Sequence, residues 1–160
     1  MVTVSPARLE WLTALVEGDD VFTARFGIPV VAGWVGFPES LPYAVEGARA
    51  SPEDPWGTHL FFDDTDGALV GFGGWKGPPR DGEAELGYAI APARQGRGLA
   101  TAVVGVLVER ARAAGVAVVT AHTLGTPNAS TAVLVKAGFR RGADAVDPEV
   151  GTIWRWELAR

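Results

Sequence analysis

The chain has 160 residues, of which 48% are hydrophobic and 21% are charged, and its formal net charge is −5. This length suits one domain, and the composition provides enough apolar side chains for a core. The absence of cysteine excludes disulfides, thiolate metal sites and a thiol nucleophile, and two histidines disfavour a histidine-built metal site. The sequence therefore predicts a protein without a bound metal.

The charge and the distribution of apolar residues also limit the partners. A negative net charge disfavours non-specific binding to nucleic acid, which needs a basic surface. The longest uncharged stretches, residues 26–38 and 99–108, are shorter than the ~20 apolar residues that span a bilayer. The first residues lack a basic start followed by an apolar run. We therefore expect a cytoplasmic protein with no nucleic-acid partner and no membrane partner.

The first 57 residues are predicted to be helical and rich in loops. Ser5 and Pro6 have the form of an N-cap and a first helical residue, and an apolar stripe follows as far as Gly18, which predicts a first helix. A second helix is expected over residues 19–26, and residues 39–50 are compatible with a third. Five prolines between residues 28 and 56 interrupt every other candidate element.

Regular alternation of apolar and polar residues begins near residue 58 and indicates a sheet. The order of elements predicts a mixed α/β fold in a single domain, with a central sheet of about six to seven strands and about four helices. The final strand could lie inside the sheet or pair across a homodimer. Strands are predicted over residues 59–62, 69–75, 83–91, 116–120, 139–145 and 152–158, and helices over residues 98–114 and 131–137.

One segment has the pattern of an anion site. The strand of residues 83–91 leads into a glycine-rich turn, Gln95-Gly96-Arg97-Gly98, and then into a helix. Free backbone amides and the positive end of the helix would face one point, where a phosphate is stabilised, and Arg94 and Arg97 add positive charge. The alternative is a tight turn without a ligand. The turn lacks the Gly-Lys-Ser/Thr of a P-loop and the Gly-x-Gly-x-x-Gly of a dinucleotide site.

The segment Gln95-Gly96-Arg97-Gly98-Leu99-Ala100 resembles the Gln/Arg-x-x-Gly-x-Gly/Ala signature of the GNAT superfamily of N-acetyltransferases. Two further segments resemble the family: the strand AELGYAIAP of residues 84–92, and the later helix NASTAVLVKAGF of residues 128–139 with its Lys-x-Gly-Phe ending. The sequence pattern of these segments most resembles the RimJ/RimL-like branch of the family, which acetylates protein N-termini and small amines. The resemblance covers residues 58–160. It implies a single GNAT-like domain over residues 1–160, with residues 1–57 on the substrate side, residues 58–160 binding the coenzyme, and strands four and five splayed.

This resemblance implies acetyl-coenzyme A as the acetyl donor. Its pyrophosphate would lie on the amides of the turn, and its pantetheine arm would pair with the strand that ends near Ile90. Core packing is the alternative for Tyr88 and Ile90, and a helix cap is the alternative for Asn128. The expected coenzyme-binding residues are Tyr88, Ile90, Gln95, Gly96, Arg97, Gly98, Ala100 and Asn128.

Transfer of an acetyl group to an amine needs a base for the ammonium proton and an acid for the departing thiolate. The resemblance points to Glu85 as the base; the alternative is an exposed strand carboxylate, and Glu83 shares its face of the strand. Leu134 occupies the position of the family's thiolate-protonating tyrosine, so the RimJ/RimL-like pattern points to Ser130 as the acid. Helix capping is the alternative for Ser130. His122, expected just past the fifth strand, is a second candidate base, a substrate contact or a loop residue.

The sequence is compatible with two functions. The first is acetyl-coenzyme A-dependent transfer to a primary amine, on a small molecule or a protein N-terminus, directly within a ternary complex, since no cysteine exists to carry an acyl intermediate. The second is a non-catalytic module of the same fold that binds acyl-coenzyme A as a sensor or pairs with a partner. Residues 1–80 carry five basic and eleven acidic side chains, which favours a cationic acceptor.

Overall fold

The computed structural model describes residues 1–159, which form one seven-stranded sheet with helices on both faces; Arg160 lies outside the described residues. The mixed α/β fold predicted from the sequence is confirmed. Within the described range, no helix combines the length and the apolar composition needed to cross a membrane. The strands are β1 (Val2–Pro6), β2 (Thr58–Asp63), β3 (Leu69–Trp75), β4 (Glu83–Ile90), β5 (Val118–Leu124), β6 (Arg140–Asp147) and β7 (Gly151–Ala159), and the helices are α1 (Leu9–Glu17), α2 (Asp19–Phe26), α3 (Ser40–Ala50), α4 (Leu99–Ala113) and α5 (Ala129–Lys136).

The N-terminus differs from the sequence-based prediction. The prediction that Ser5 and Pro6 begin the first helix is wrong: they end β1, which pairs antiparallel with β2, and α1 begins at Leu9. Val4 is buried in the core while its neighbour Thr3 is exposed, as the alternation of a strand requires. Proline is tolerated because β1 is the outermost strand of the sheet, where one missing N–H is least costly.

The other predicted elements are present, with shifts of a few residues at their ends. The largest shift concerns β5, predicted over residues 116–120 but observed from Val118 to Leu124. Gly115, at a φ of 89°, and the bond from the Val116 amide to the Ala111 carbonyl, 3.0 Å, still belong to the turn that closes α4. His122 therefore lies within β5 and not past it.

Different helices cover the two faces of the sheet. α4 and α5 pack on one face, in a core that includes Leu86 of β4 and Val103 of α4. α1, α2 and α3 pack on the other face, in a core that includes Leu60 of β2. Side chains alternate along β4, so Glu83 and Glu85 lie on the face opposite to Leu86.

The two central strands of the sheet, β4 and β5, are paired over only part of their length. The order of strands is β1-β2-β3-β4-β5-β7-β6, and β4 and β5 form its one parallel pair among residues 1–159. They are paired at three positions only, the last being Glu85 with Thr120. Beyond this point β4 continues to Ile90 beside β3, and β5 continues to Leu124 beside β7. A gap therefore opens between the two strands, which confirms the predicted splay.

β7 lies inside the sheet, between β5 and β6. Its pairing with β5 runs without interruption from Ala159 opposite Val118 to Ile153 opposite Leu124. Of the two placements that the sequence allows for the final strand, the structure has the interior one. The outer edges of the sheet are β1 and β6.

Arg94 joins the segment after β4 to the turn between β2 and β3. Its guanidinium donates to Asp63 at 2.7 Å and to Asp66 at 2.7 Å, and Asp63 also accepts from the amide and hydroxyl of Thr65. The bonds from Thr65 and Arg94 outweigh burial and hold the pKa of Asp63 below its ordinary value. The bonds from Arg94 and the Ala68 amide lower the pKa of Asp66. Two carboxylates neutralise Arg94, so it does not supply the free charge predicted for the glycine-rich turn.

The lowered pKa of Asp63 makes its contribution to stability depend on pH. A carboxyl whose pKa is depressed by folding stabilises the protein fully above its ordinary pKa, and this contribution is lost as the pH falls through the depressed value. We expect Asp63→Asn to lower the free energy of unfolding at pH 7, and the difference from wild type to shrink as the pH falls below about 4. Urea unfolding at several pH values measures this.

The matched control is Asp144→Asn in β6, because Asp144 is exposed and forms no ion pair among residues 1–159. It should change the free energy of unfolding little at any pH. A difference between wild type and Asp63→Asn that is independent of pH would contradict the assigned role of Asp63.

Candidate active site

A cavity of about 610 Å³ lies on the face of the sheet covered by α4 and α5. Its volume is within the range of roughly 300–1,000 Å³ typical of small-molecule sites. Its walls come from β4, from the glycine-rich turn with the start of α4, from the first two turns of α5, and from the loop before α3. The predicted residues that line it are Tyr88, Ile90, Gln95, Gly96, Gly98, Ala100 and Ser130.

The glycine-rich turn gives the cavity a set of free backbone amides. Gly98 is the N-cap of α4 at a φ of 81°, and Gly96 has a φ of 77°, a region where side chains are disfavoured. The amide of Ala102 is the first in α4 to bond a carbonyl, that of Gly98 at 3.0 Å. The amides of residues 96–101 have no acceptor among the described residues, so they can bind an anion.

Two side chains of the turn have different environments. The side-chain amide of Gln95 donates to the carbonyl of Ile90 at 3.0 Å, which ties the turn to the end of β4. Arg97 is exposed and does not line the cavity, although its guanidinium forms no ion pair among residues 1–159. Lys136, at the end of α5, lines the cavity wall and is likewise not paired. The unpaired positive charges in the described part of the site are therefore Arg97, in the turn, and Lys136, in the cavity wall.

Tyr88 connects the exposed edge of β4 to the start of α5. Its hydroxyl donates to the backbone carbonyl of Ser130 at 3.3 Å. Burial raises the pKa of Tyr88 to about 12, so the phenol stays protonated at neutral pH. The side chain thus holds Ser130 at the cavity wall, and the hydroxyl of Ser130 itself has no hydrogen-bond partner among the described residues.

Asn128 caps α5. Its side-chain oxygen accepts from the amide of Thr131 at 3.0 Å, and the hydroxyl of Thr131 accepts from the amide of Asn128 at 2.9 Å, which is a capping box. Its side-chain nitrogen donates to the carbonyl of Thr126 at 3.1 Å, and Asn128 does not line the cavity. The capping alternative is therefore realised in Asn128, and the capping alternative for Ser130 is wrong. Leu134 is buried and has no proton to donate.

Glu85 lies on the opposite face of the sheet, where β4 and β5 part. Its Oε2 accepts from Nζ of Lys76 at 2.8 Å and contacts Nδ1 of His122 at 2.9 Å. Burial raises the pKa of Glu85, but the bonds to Lys76 and His122 outweigh it, so the pKa lies below its ordinary value. The group is therefore a carboxylate at neutral pH. Glu83, on the same face, binds Arg155 at 3.2 Å.

Several residues of the site were not predicted from the sequence. Gly33, Gly36 and Phe37, in the proline-interrupted segment, line the cavity beside β4. The fit is close, since a Cβ on Gly33 would lie 2.8 Å from Pro92. In the sequence, Gly33 and Gly36, three residues apart, are a weak signal that this loop lies close against other residues. Lys76 could not have been found, because only the β3–β4 hairpin brings it to Glu85.

A family model described as an acetyltransferase (GNAT) domain matches residues 11–140, which is most of the chain. Comparison with curated protein sequences gives no significant match. Among residues 1–159, no group of three or more His, Cys, Asp or Glu side chains is placed to hold a metal ion.

Solved structures share the fold over nearly the whole chain. RimJ from Mycobacterium smegmatis in complex with CoA-disulfide has a TM-score of 0.72 and 21% identity, covering 99% of this chain and 81% of that one. YncA from Salmonella typhimurium with its cofactor acetyl-CoA has a TM-score of 0.68 and 18% identity, covering 99% and 93%. A chimera of the Vibrio cholerae spermidine N-acetyltransferase SpeG and hSSAT has a TM-score of 0.71 and 14% identity, covering 99% and 92%. Because the GNAT domain model covers residues 11–140, the chain belongs to the GNAT family of acetyltransferases.

Proposed function

We propose that this protein transfers the acetyl group of acetyl-coenzyme A directly to a primary amine within a ternary complex. The observation that carries the proposal is the gap between β4 and β5. It lies between the cavity, on the side of α4 and α5, and Glu85, on the other side of the sheet. A donor in the cavity and an acceptor beside Glu85 would meet at this gap. The solved structure of YncA with acetyl-CoA supports the donor.

The residues of the cavity fit the coenzyme. The amides of residues 96–101, with Arg97 and Lys136 nearby, suit a pyrophosphate, and the edge of β4 that faces the gap suits an amide-containing arm. The thioester supplies an activated acetyl group when the coenzyme is bound. In this assignment Gln95 acts through its bond to Ile90 and Asn128 acts through its cap on α5.

Glu85 and Ser130 are proposed to serve the two proton transfers of the reaction. The carboxylate of Glu85 promotes removal of the ammonium proton so that the amine can attack the acetyl carbon. The Ser130 hydroxyl lies at the cavity wall without a hydrogen-bond partner among residues 1–159, so it can donate its proton to the departing thiolate. The chain has no cysteine to carry an acyl group, which supports direct transfer.

The acceptor is proposed to be a cationic amine, on a small molecule or a protein N-terminus. Residues 1–57 would form its side of the site, because α1, α2 and α3 cover the same face on which Glu85 lies and Phe37, 64% exposed, stands at the cavity. The first half of the chain is acidic, which favours a cation. Solved structures of the fold include RimJ and a spermidine N-acetyltransferase chimera.

A non-catalytic sensor of acyl-coenzyme A is the second candidate. It is favoured by Leu134, a buried residue without a proton at the position where the family's tyrosine is expected. Release of free coenzyme A thiol, measured with a mixed panel of primary amines beside calorimetry of acetyl-coenzyme A binding, separates the two. Binding with amine-dependent thiol release supports the enzyme, and binding without release from any amine supports the sensor.

The glycine-rich turn provides the first test. Gly98→Val adds a side chain where the amides of α4 must approach the ligand, so we expect acetyl-coenzyme A affinity to fall at least tenfold, about 1.4 kcal/mol. Gly115→Val is the matched control, because Gly115 has a similar φ of 89° at the other end of α4. Both variants should lose stability through backbone strain, about 1–3 kcal/mol. Calorimetry that gives equal affinities for both would contradict the assigned site.

Glu85 is tested against its neighbour on the same strand face. Glu85→Gln should lower kcat by ~10² to 10⁴ while the affinity for acetyl-coenzyme A stays unchanged, because Glu85 serves removal of the amine proton and not binding of the coenzyme. Glu83→Gln, which removes the bond to Arg155, should leave kcat within a few-fold. Steady-state kinetics with calorimetry measures both. Equal effects of the two substitutions would count against Glu85.

Ser130 is tested against the residue that caps its helix. Ser130→Ala should slow turnover tenfold or more and leave the free energy of unfolding almost unchanged, since the hydroxyl makes no hydrogen bond among the described residues. Asn128→Ala removes the capping box and should cost about 1 kcal/mol of stability. Urea unfolding and steady-state rates are measured on both variants. A rate for Ser130→Ala equal to wild type removes Ser130 from the catalytic role.

A further inference from the structure

The contact between Glu85 and His122 determines which nitrogen of the imidazole carries the hydrogen. Nδ1 of His122 lies 2.9 Å from Oε2 of Glu85, and the two side chains are 28% and 25% exposed. An ionised carboxylate can only accept hydrogen bonds, so Nδ1 must carry the hydrogen. In the neutral imidazole the lone pair is then on Nε2, which has no hydrogen-bond partner among residues 1–159.

Glu85 itself is poorly suited to take a proton. Its pKa lies below the ordinary value because Lys76 and His122 donate to the same oxygen, which outweighs the effect of burial. A general base is most effective when its pKa lies near the working pH. Imidazole ordinarily titrates closer to neutral pH than any carboxylate does. The chemistry therefore favours the imidazole over the carboxylate as the group that receives the proton.

The surroundings of His122 keep the pair in place. Lys76 follows β3 and holds Oε2 of Glu85 from the other side, at 2.8 Å. Arg155 is the residue of β7 directly opposite His122, and its guanidinium is bound by Glu83 and by Glu157. Farther along the sheet, Arg140 of β6 lies opposite Glu157. Among residues 1–159, Lys76 and Arg155 are each paired with a carboxylate, and Glu85 is the one side chain bonded to the imidazole of His122.

We propose that His122 is the general base of the reaction and that Glu85 is the positioning residue that holds it in the Nδ1–H form. This inference rests on the proposed acetyl transfer and assigns the proton path within it. The amine nitrogen forms a bond to the acetyl carbon, the carbon–sulfur bond breaks, and the proton of the amine moves to Nε2 of His122. The thiolate takes its proton from the Ser130 hydroxyl, which regains one from water, and His122 releases the amine proton to water.

The ring state can be measured without any activity. The chain has two histidines, and the other, His59, is buried with its Nδ1 at 3.0 Å from the carbonyl of Gly57, so His59 is also expected in the Nδ1–H form. The spectrum of His122→Gln, which retains the signals of His59 alone, assigns the two rings. Nitrogen-15 NMR of the imidazoles should find His122 as the Nδ1–H form in wild type. In Glu85→Ala it should change to the Nε2–H form that a free imidazole favours. An Nε2–H form of His122 in wild type would overturn the proposal.

Kinetics then tests the role of His122. His122→Gln and His122→Asn should each lower kcat by ~10² or more with unchanged affinity for acetyl-coenzyme A, and both should lose the acidic limb of the pH profile. Glu85→Gln should keep that limb, because the imidazole remains. The double variant Glu85→Gln/His122→Gln should be no slower than His122→Gln, since residues that act as one unit are not additive.

The outcomes separate this inference from the proposed function. Multiplicative losses in the double variant, or a wild-type rate and pH profile in either variant of His122, would overturn the role of His122 while the acetyl transfer stands. Failure of the wild-type protein to release thiol with any amine would overturn the acetyl transfer itself. Thermal unfolding and coenzyme binding of each variant confirm that it is folded.

Discussion

The separation of β4 from β5 is the constraint on which the site depends. A strand edge in the middle of a sheet leaves backbone N–H and C=O groups unpaired, and such groups need a partner. In this protein β4 is paired with β5 only as far as Glu85, while β3 and β7 hold the two strands apart beyond that residue. The side chain of Gln95 satisfies one exposed carbonyl, that of Ile90. The remaining edge is available to a ligand that can form strand-like hydrogen bonds.

The same separation divides the chemistry between two faces. The side of α4 and α5 presents the amides of residues 96–101, the cations Arg97 and Lys136 and the Ser130 hydroxyl, all without a partner among residues 1–159, which suits a phosphate-bearing donor and its leaving group. The other side presents Glu85 with His122 and Lys76, which suits an amine that must lose a proton. Because the residues of β4 alternate in direction, one strand supplies Tyr88 to the first face and Glu85 to the second. The reacting groups can therefore approach each other through the sheet.

Several polar groups in and around the site support it without facing a ligand. Arg94 is bound by Asp63 and Asp66, Asn128 caps α5, and Tyr88 holds the carbonyl of Ser130. Each of these residue types is also able to bind a coenzyme, so its type alone does not distinguish the two roles. The bond of Tyr88 fixes the start of α5 relative to β4, and the bonds of Arg94 tie the segment before α4 to the turn between β2 and β3. In the part of the chain that the structure describes, the groups of the site left without a partner are the amides of residues 96–101, the side chains of Arg97 and Lys136, and the Ser130 hydroxyl.

The sequence by itself determined the features that depend on neighbouring residues. Alternation along β4 placed Glu83 and Glu85 on one face, and glycines before an apolar stripe predicted the turn and α4. The same local rules misassigned Ser5 and Pro6, because a strand at the edge of a sheet tolerates the proline that also suits a helix start. Only the tertiary structure decided which groups meet: Lys76 and His122 at Glu85, Arg94 with two aspartates, and Phe37 at the cavity. Most of these contacts join residues distant in the chain, and the contact of Lys76 with Glu85 depends on the register of the β3–β4 hairpin, so no local pattern encodes them.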